Sequence, residues 1–414
     1  MQGSLFILLA VFLALGLYAG ARGIIAAAGG GRAAQPRKKD PPTAAESGLS
    51  IGREIQKKFL PLERDKNGNK LNFGYTETDK AVFFGYYAEA EGISGDYFDY
   101  LELDDSCYAV IKCDVAGKGI PAALIMIQVA TMFLNYFKGR QSAPGGLRIE
   151  KLVYQINDFI ETLGFQGRFA AFTLCVFNAQ TGDLRFCNAG DNIIHIYDAS
   201  AGCIKNITLP QTPAAGVLPH SVVETGGGYQ VQELTLDRGD ILLLYTDGIE
   251  EARRQFRNCA FNVIACTSAP EGIPHGSHLA GEYGEALGQG RIYDIVNAVM
   301  KRGHYRLHKW HSSEGEHDLY FDFSGCGGGV NELIMALVAV EKIFRCYYDP
   351  GADSGQWAPV DKKIDAFLAG HFLQYDHYCA QTCAYPGNDL YIYYTHLRED
   401  EQTDDLTILG IKRK

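Results

Sequence analysis

Between Phe73 and Thr246 the chain is a succession of short runs rich in aromatic and β-branched residues, separated by turn residues. Residues 82–88, 107–113, 169–177, 184–189, 193–197, 231–236 and 241–246 each have the length and composition of a strand. Thr181-Gly182-Asp183, residues 200–202 and residues 237–240 punctuate them. Short strands joined by tight turns imply hairpins and antiparallel sheets. Two longer apolar segments have a helical period: residues 120–137, and a stripe of Leu152, Ile156, Phe159, Ile160 and Leu163. The fold class is therefore α+β, with two antiparallel sheets covered by helices.

The pattern loosens from residue 256 to 389, where Gly325 to Gly329 break the chain and helices are expected at 331–347 and 362–379. Strands return at 390–394 and 406–411. Upstream, residues 51–60 have a helical pattern with Ile51, Ile55, Phe59 and Leu60 as its apolar stripe, ended by Pro61. Residues 31–50 are rich in Gly, Ala, Pro and charge and form a linker.

Before the linker, Leu5 to Ala21 carries no charge, Arg22 follows, and Gly23 to Gly31 is small and apolar. Ala26 to Ala28 resemble a signal-peptide cleavage site, but no Lys or Arg precedes the apolar run. Arg32, Arg37, Lys38 and Lys39 lie after it, so by the positive-inside rule the rest of the chain stays in the cytoplasm. The expectation is one transmembrane helix within residues 1–30, anchoring the chain in the inner membrane.

The formal net charge of −11 argues against non-specific nucleic-acid binding. The 11 cysteines are odd in number and lack framework spacing. Cys107, Cys113, Cys175 and Cys187 sit inside apolar runs and are expected as small core residues in a reducing compartment. Cys379 and Cys383 would share a face on a helix, but the paired spacing of a zinc site is missing.

Four acidic positions share one context, the end of a strand or the start of a turn. They are Asp96 in Ser94-Gly95-Asp96-Tyr97-Phe98-Asp99, Asp114 in Asp114-Val115-Ala116-Gly117-Lys118-Gly119, Asp247 in Tyr245-Thr246-Asp247-Gly248-Ile249-Glu250, and Asp404 with Asp405 before Leu406-Thr407. Carboxylates at strand ends converge on one rim, and converging carboxylates repel unless a cation neutralises them. Oxygen donors of this kind suit magnesium or manganese. The neighbouring glycines let backbone approach closely.

These four motifs, with Asn188-Ala189-Gly190 and the stretch Gly117-Lys118-Gly119-Ile120-Pro121-Ala122-Ala123, resemble the SpoIIE/RsbU branch of the PPM (type 2C) protein phosphatases. The segment from Arg53 to Pro61 resembles the lead-in to that domain. The resemblance covers roughly 51–255 and 390–414. It implies a lead-in helix at 51–72, a PPM-type β-sandwich split over 73–255 and 390–414, and an insertion at 256–389. It implies hydrolysis of phosphoserine or phosphothreonine by water activated between two Mn2+ or Mg2+ ions. Asp114 would bridge the ions, the Val115 carbonyl would bind one, and Asp96, Asp247 and Asp404 would complete the shell, with Asp405 the alternative at the last position. The implied substrate is an anti-sigma-factor antagonist, with a homodimer left open; the competing function is a catalytically silent membrane-tethered scaffold. Ala116 stands where the family usually has Ser, and Asp191 where it usually has His.

Other residues carry weaker expectations. Lys118 is expected in solvent, His304, His308, His311 and His317 on a surface helix and loop, and Arg168, Arg253 and Arg254 are candidates for phosphate contact.

Overall fold

The computed structural model describes residues 44–138, 147–165, 167–258, 261–265, 283–307, 318–353, 356–384 and 390–414. The expected membrane segment at 1–30, linker residues 31–43, and His308, His311 and His317 lie outside the described residues.

In chain order the elements are α1 (Ala44–Lys57), β1 (Phe73–Glu77), β2 (Ala81–Ala88), β3 (Tyr97–Glu102), β4 (Cys107–Val115), α2 (Gly119–Phe137), α3 (Ile149–Leu163), β5 (Ala170–Asn178), β6 (Asp183–Ala189), β7 (Ile193–Asp198), β8 (Cys203–Thr208), α4 (His220–Thr225), β9 (Gln232–Thr235) and β10 (Ile241–Tyr245). They continue with β11 (Arg253–Gln255), β12 (Gly284–Ala286), α5 (Gly288–Met300), β13 (His304–Leu307), β14 (Leu319–Asp322), α6 (Val330–Arg345), β15 (Cys346–Tyr348), β16 (Ala358–Asp361), α7 (Lys362–His371), α8 (Tyr375–Tyr378), β17 (Thr382–Ala384), β18 (Tyr391–Tyr394), β19 (Leu397–Glu399) and β20 (Leu406–Arg413).

Two antiparallel sheets carry the architecture, in the orders β1-β2-β20-β10-β7-β8 and β3-β4-β5-β6-β9. Alternation along β10 shows how they stack. Leu242 and Leu244 join the core shared with β4, β5 and β6, while Ile241, Leu243 and Tyr245 face a second core built with α5 and α6. The α2–α3 pair covers the other sheet, with Phe133 of α2 edge-on to Tyr97 of β3. The layers thus run helix, sheet, sheet, helix.

Helix α2 is long and apolar enough to cross a membrane, but Met126, Val129, Ala130, Phe133 and Phe137 are packed in the core. Helix α3 ends where Gly164 takes φ 57° and its N–H returns to the Ile160 carbonyl at 3.1 Å. Cys107, Cys113, Cys175 and Cys187 are buried core residues, as expected.

Four local expectations change. The runs at 231–236 and 241–246 do not pair with each other: β9 extends one sheet beside β6, while β10 enters the other between β20 and β7. The turn between them is a crossover that joins the sheets. Helix α1 runs from Ala44, inside the expected linker, to Lys57; of the expected stripe Ile51 and Ile55 are exposed, Phe59 and Leu60 pack on the core just past the helix, and Gln56 is fully buried. The helix expected over 362–379 is broken, because Leu373 donates to the Tyr320 carbonyl at 2.9 Å and the chain bridges β14 there. Cys379 therefore caps α8 and Cys383 lies in β17, so they share no helical face.

The segment 256–389 is continuous with the core. Leu333, Leu337 and Val338 of α6 are buried in one cluster with Phe84 and Tyr86 of β2 and Ile408 of β20. A cavity of about 520 Å³ lies where Arg53 of α1, residues 88–92 and residues of α6, β16 and β18 meet.

Candidate functional site

Strand β20, the last in the chain, inserts between β2 and β10, and this placement assembles the acids. Ala88 pairs with Leu406, Tyr245 with Ile408, and Tyr97 with Cys113. The outgoing ends of β2, β4 and β10 and the incoming ends of β3 and β20 therefore share one rim, bridged by residues 89–96. Asp96, Asp114, Asp247, Asp404 and Asp405 all stand there.

Thr246 knots three of these elements together. Its hydroxyl donates to the Asp96 carboxylate at 2.7 Å and accepts the Thr407 N–H at 3.1 Å, and its own N–H donates to the Thr407 carbonyl at 3.0 Å. Two glycines permit the close approach. A Cβ on Gly248 would lie 1.9 Å from the Asp405 carbonyl oxygen, and one on Gly95 would lie 2.7 Å from that of Val115.

The two adjacent aspartates of the last motif differ in role. Asp405 is buried, and its carboxylate accepts the N–H groups of Ala90 at 2.8 Å and Gly95 at 3.0 Å. It fastens the 89–96 segment to β20. Asp404 is half-buried and faces Lys118 at 3.4 Å. Lys118 is thus drawn to the site and does not stand apart in solvent.

The electrostatics are those of crowded acids. Burial pushes the Asp96 carboxyl well above its ordinary range, and the charges of Asp114 and Asp405 add to this, opposed by the Thr246 hydroxyl. Asp114 is raised to about 7 by burial and by Asp247, Asp404 and Asp405. Asp247, exposed at the rim, is raised by its partial desolvation and then by Asp404 and Glu251. Lys112 pulls both Asp114 and Asp247 the other way. Among the described residues no three acidic, His or Cys side chains stand close enough to grip one ion directly. By chemistry the donor set fits magnesium or manganese, since the groups are hard oxygens that repel one another unless cations lie between them. Asp96, Asp114, Asp247, Asp404 and the Val115 carbonyl are the groups able to supply it.

The arginines separate. Arg254 is buried in an ion pair with Glu285 and lies over the Phe344 ring, so it is structural. Arg253 is half-exposed, 3.9 Å from Glu251. Arg168 packs beside Gly117 of the Asp114 motif, with a buried Nε that has no hydrogen-bond partner, and is the phosphate-contact candidate that reaches the rim. His304 is exposed in β13, 3.6 Å from Asp322.

Three contributors were not singled out in the sequence: Gln56, Thr246 and Lys112. Thr246 lay inside a quoted motif and Gln56 inside the lead-in segment from Arg53 to Pro61, while Lys112 has no local signature. Gln56 accepts the Ser94 N–H at 3.0 Å and donates to the Ser94 carbonyl, so α1 grips the peptide two residues before Asp96.

Residues 104–275 match the family model "Stage II sporulation protein E (SpoIIE)". Protein IcfG of Synechocystis sp. is 29% identical over 228 residues, covering 50% of this chain and 33% of the relative. Phosphoserine phosphatase RsbP of Bacillus subtilis is 25% identical over 198 residues, covering 47% and 45% respectively. Phosphoserine phosphatase RsbU of the same organism is 25% identical over 167 residues, covering 40% and 45%. The chain thus spans less than half the length of the curated relatives it matches. A solved structure of the PP2C phosphatase domain and a fragment of the regulatory domain of SpoIIE from Bacillus subtilis superposes with a TM-score of 0.42 at 12% identity, over 83% of this chain and 65% of that one. A superposition that loose carries no argument about function. The matched segment, with Asp114 and Asp247 inside it, and the sequence relatives make this part of the chain similar to the SpoIIE-type phosphatases.

Proposed function

We propose that this chain is a metal-dependent phosphatase that removes phosphate from phosphoserine or phosphothreonine of a regulatory protein. One observation carries the reading: acids from four separate motifs meet on one rim, with carboxyls held up by burial and by each other's charge. A protein keeps such a cluster where cations are to be bound.

In this reading Asp96, Asp114, Asp247, Asp404 and the Val115 carbonyl hold two Mn2+ or Mg2+ ions. When bound, such ions lower the pKa of a water and stabilise charge on a transferring phosphoryl group. The residues of the chain do the rest. Thr246 orients Asp96, Asp405 holds the 89–96 segment in register, and Lys118 and Arg168 offer positive charge at the mouth for the substrate phosphate. No side chain is required as a covalent nucleophile.

Two relatives are named phosphoserine phosphatases. That supports phosphoserine as the group acted on; a regulatory protein of the anti-sigma-factor-antagonist kind is the substrate that the family resemblance implies. The uncharged N-terminal run followed by Arg32, Arg37, Lys38 and Lys39 supports tethering to the cytoplasmic face of the inner membrane. The looseness of the acid cluster is the one observation that favours a binding-only scaffold.

A single experiment separates the two. Phosphate release from a phosphoserine peptide by the full chain is followed while Mn2+ is titrated, with Asp247→Asn as control. Mn2+-dependent release abolished by the substitution establishes the enzyme. Metal binding without release supports the scaffold, and no metal binding refutes the assignment of the acids.

A further inference from the structure

Beneath the acidic rim, between the two sheets, Lys112 and Asp191 form an ion pair that belongs to none of the four motifs. Alternate residues of a strand share a face, so Lys112 lies on the Asp114 side of β4, about 7 Å further in. Its ammonium is 2.7 Å from the Asp191 carboxylate, and the two side chains are only 8% and 13% exposed. Thr173, paired with Lys112 across the β4–β5 ladder, donates its hydroxyl to the same carboxylate. Asp191 is delivered by the turn after β6, where Gly190 takes φ 72°. This is the position at which Asp replaces the His usual in the resembled family, and the replacement is matched by a cation across the sheet.

The groups facing Lys112 from the other elements are acidic or neutral. Asp96, Asp114 and Asp247 lie within its electrostatic reach, and His195 of β7 is kept neutral by burial and by the Lys112 charge. A buried ion pair is weak evidence of stabilisation, since apolar residues of similar volume often serve a core as well or better. A core lysine at this place therefore has its reason in the neighbouring acids.

We infer that the Lys112–Asp191 pair is a fixed charge balance for the acidic rim: Lys112 tempers the attraction of the rim for divalent cations, and Asp191 holds the ammonium and offsets it. Both are positioning residues, acting through Asp114 and Asp247. The inference rests on the metal-dependent reading above.

The test is calorimetric titration of the full chain with Mn2+ alone, with no substrate present. Lys112→Met removes a positive charge and is expected to tighten binding by about tenfold or more, while Asp191→Asn removes a negative charge and weakens it by a similar factor. The double variant, with both charges gone, is expected to return to within about threefold of wild type. A purely structural role would weaken both single variants or move neither, and either result overturns the inference. If Lys112→Met does not fold, because Asp191 is left buried alone, the other two variants decide: unchanged affinity in Asp191→Asn refutes the charge balance. Wild-type protein that binds no Mn2+ sinks the metal reading itself, and the inference with it.

Discussion

Helix α1 is bound to the acidic rim by the Gln56 side chain, and cutting that bond tests whether the helix sets the geometry of the site. The Gln56 amide satisfies both the N–H and the carbonyl of Ser94, two residues before Asp96, and Arg53 adds a hydrogen bond to the Gly92 carbonyl at 2.7 Å and an ion pair with Glu89 at 2.8 Å. Gln56→Ala leaves two buried backbone groups of Ser94 without partners, at about 1–3 kcal/mol each, so about 2–6 kcal/mol in all. The strain falls on a short segment, so it is relieved by local loosening of residues 89–96 more than by global unfolding. If that segment must be reordered before cations bind, even 2 kcal/mol corresponds to about thirtyfold weaker Mn2+ affinity. The assay pairs Mn2+ calorimetry with phosphate release and urea denaturation on the full chain. Gln56→Glu keeps the acceptor for the Ser94 N–H but loses the donor, and is expected to fall between wild type and Gln56→Ala. A folded Gln56→Ala protein with affinity and rate within about twofold of wild type would refute the reasoning, because the partners it leaves unpaired would then cost nothing at the site.

Three other perturbations have worked signs. Gly248→Ala sets a Cβ against the Asp405 carbonyl and must push Asp247 or β20 aside; we expect loss of Mn2+ binding, with stability lower by about 2–4 kcal/mol in denaturant unfolding. Glu285→Gln removes the buried partner of Arg254 and Arg291, leaving two cations poorly compensated, and should destabilise by about 3–5 kcal/mol while Mn2+ affinity changes little. Asp99 is held at about 7 by burial, against hydrogen bonds from Tyr97 and Tyr100. Its folded pKa lies above the unfolded value near 4, so the folded state holds the extra proton, and its contribution is present below pH 4 and is lost as pH rises towards 7. Asp99→Asn should abolish that loss, on the order of 3–4 kcal/mol in all, of which unfolding curves at pH 5 and pH 7.5 would show about 2–3 kcal/mol.

The antiparallel α+β class and the two helices α2 and α3 were legible in the sequence because period-2 and period-3.6 patterns are local properties of the chain. So were the acids, since Asp96, Asp114, Asp247 and Asp404 each stand at the end of a strand, the first three with glycine close by, and the motifs carry that signature wherever the strands go. Two kinds of information were absent. The pattern could not say which strand neighbours which: the runs at 231–236 and 241–246 have the spacing of a hairpin, yet they lie in different sheets, the wholly apolar β10 buried between β20 and β7 and the partly exposed β9 at a sheet edge beside β6. Nor could it show that α1 turns Ile51 and Ile55 outward, since a buried Gln56 is favourable only once the Ser94 peptide is there to meet it.

The amino-acid sequence by itself determined the inventory: strand, turn and helix segments, and acids with hard-oxygen chemistry. Tertiary structure decided the meeting of those parts. Insertion of β20 between β2 and β10 brings residues 310 positions apart, Gly95 and Asp405, onto one rim, assigns Asp405 to backbone and Asp404 to the open side, and seats Lys112 against Asp191. Hydrogen bonds and charges act over a few ångströms in space, and only the folded chain places these residues at such distances.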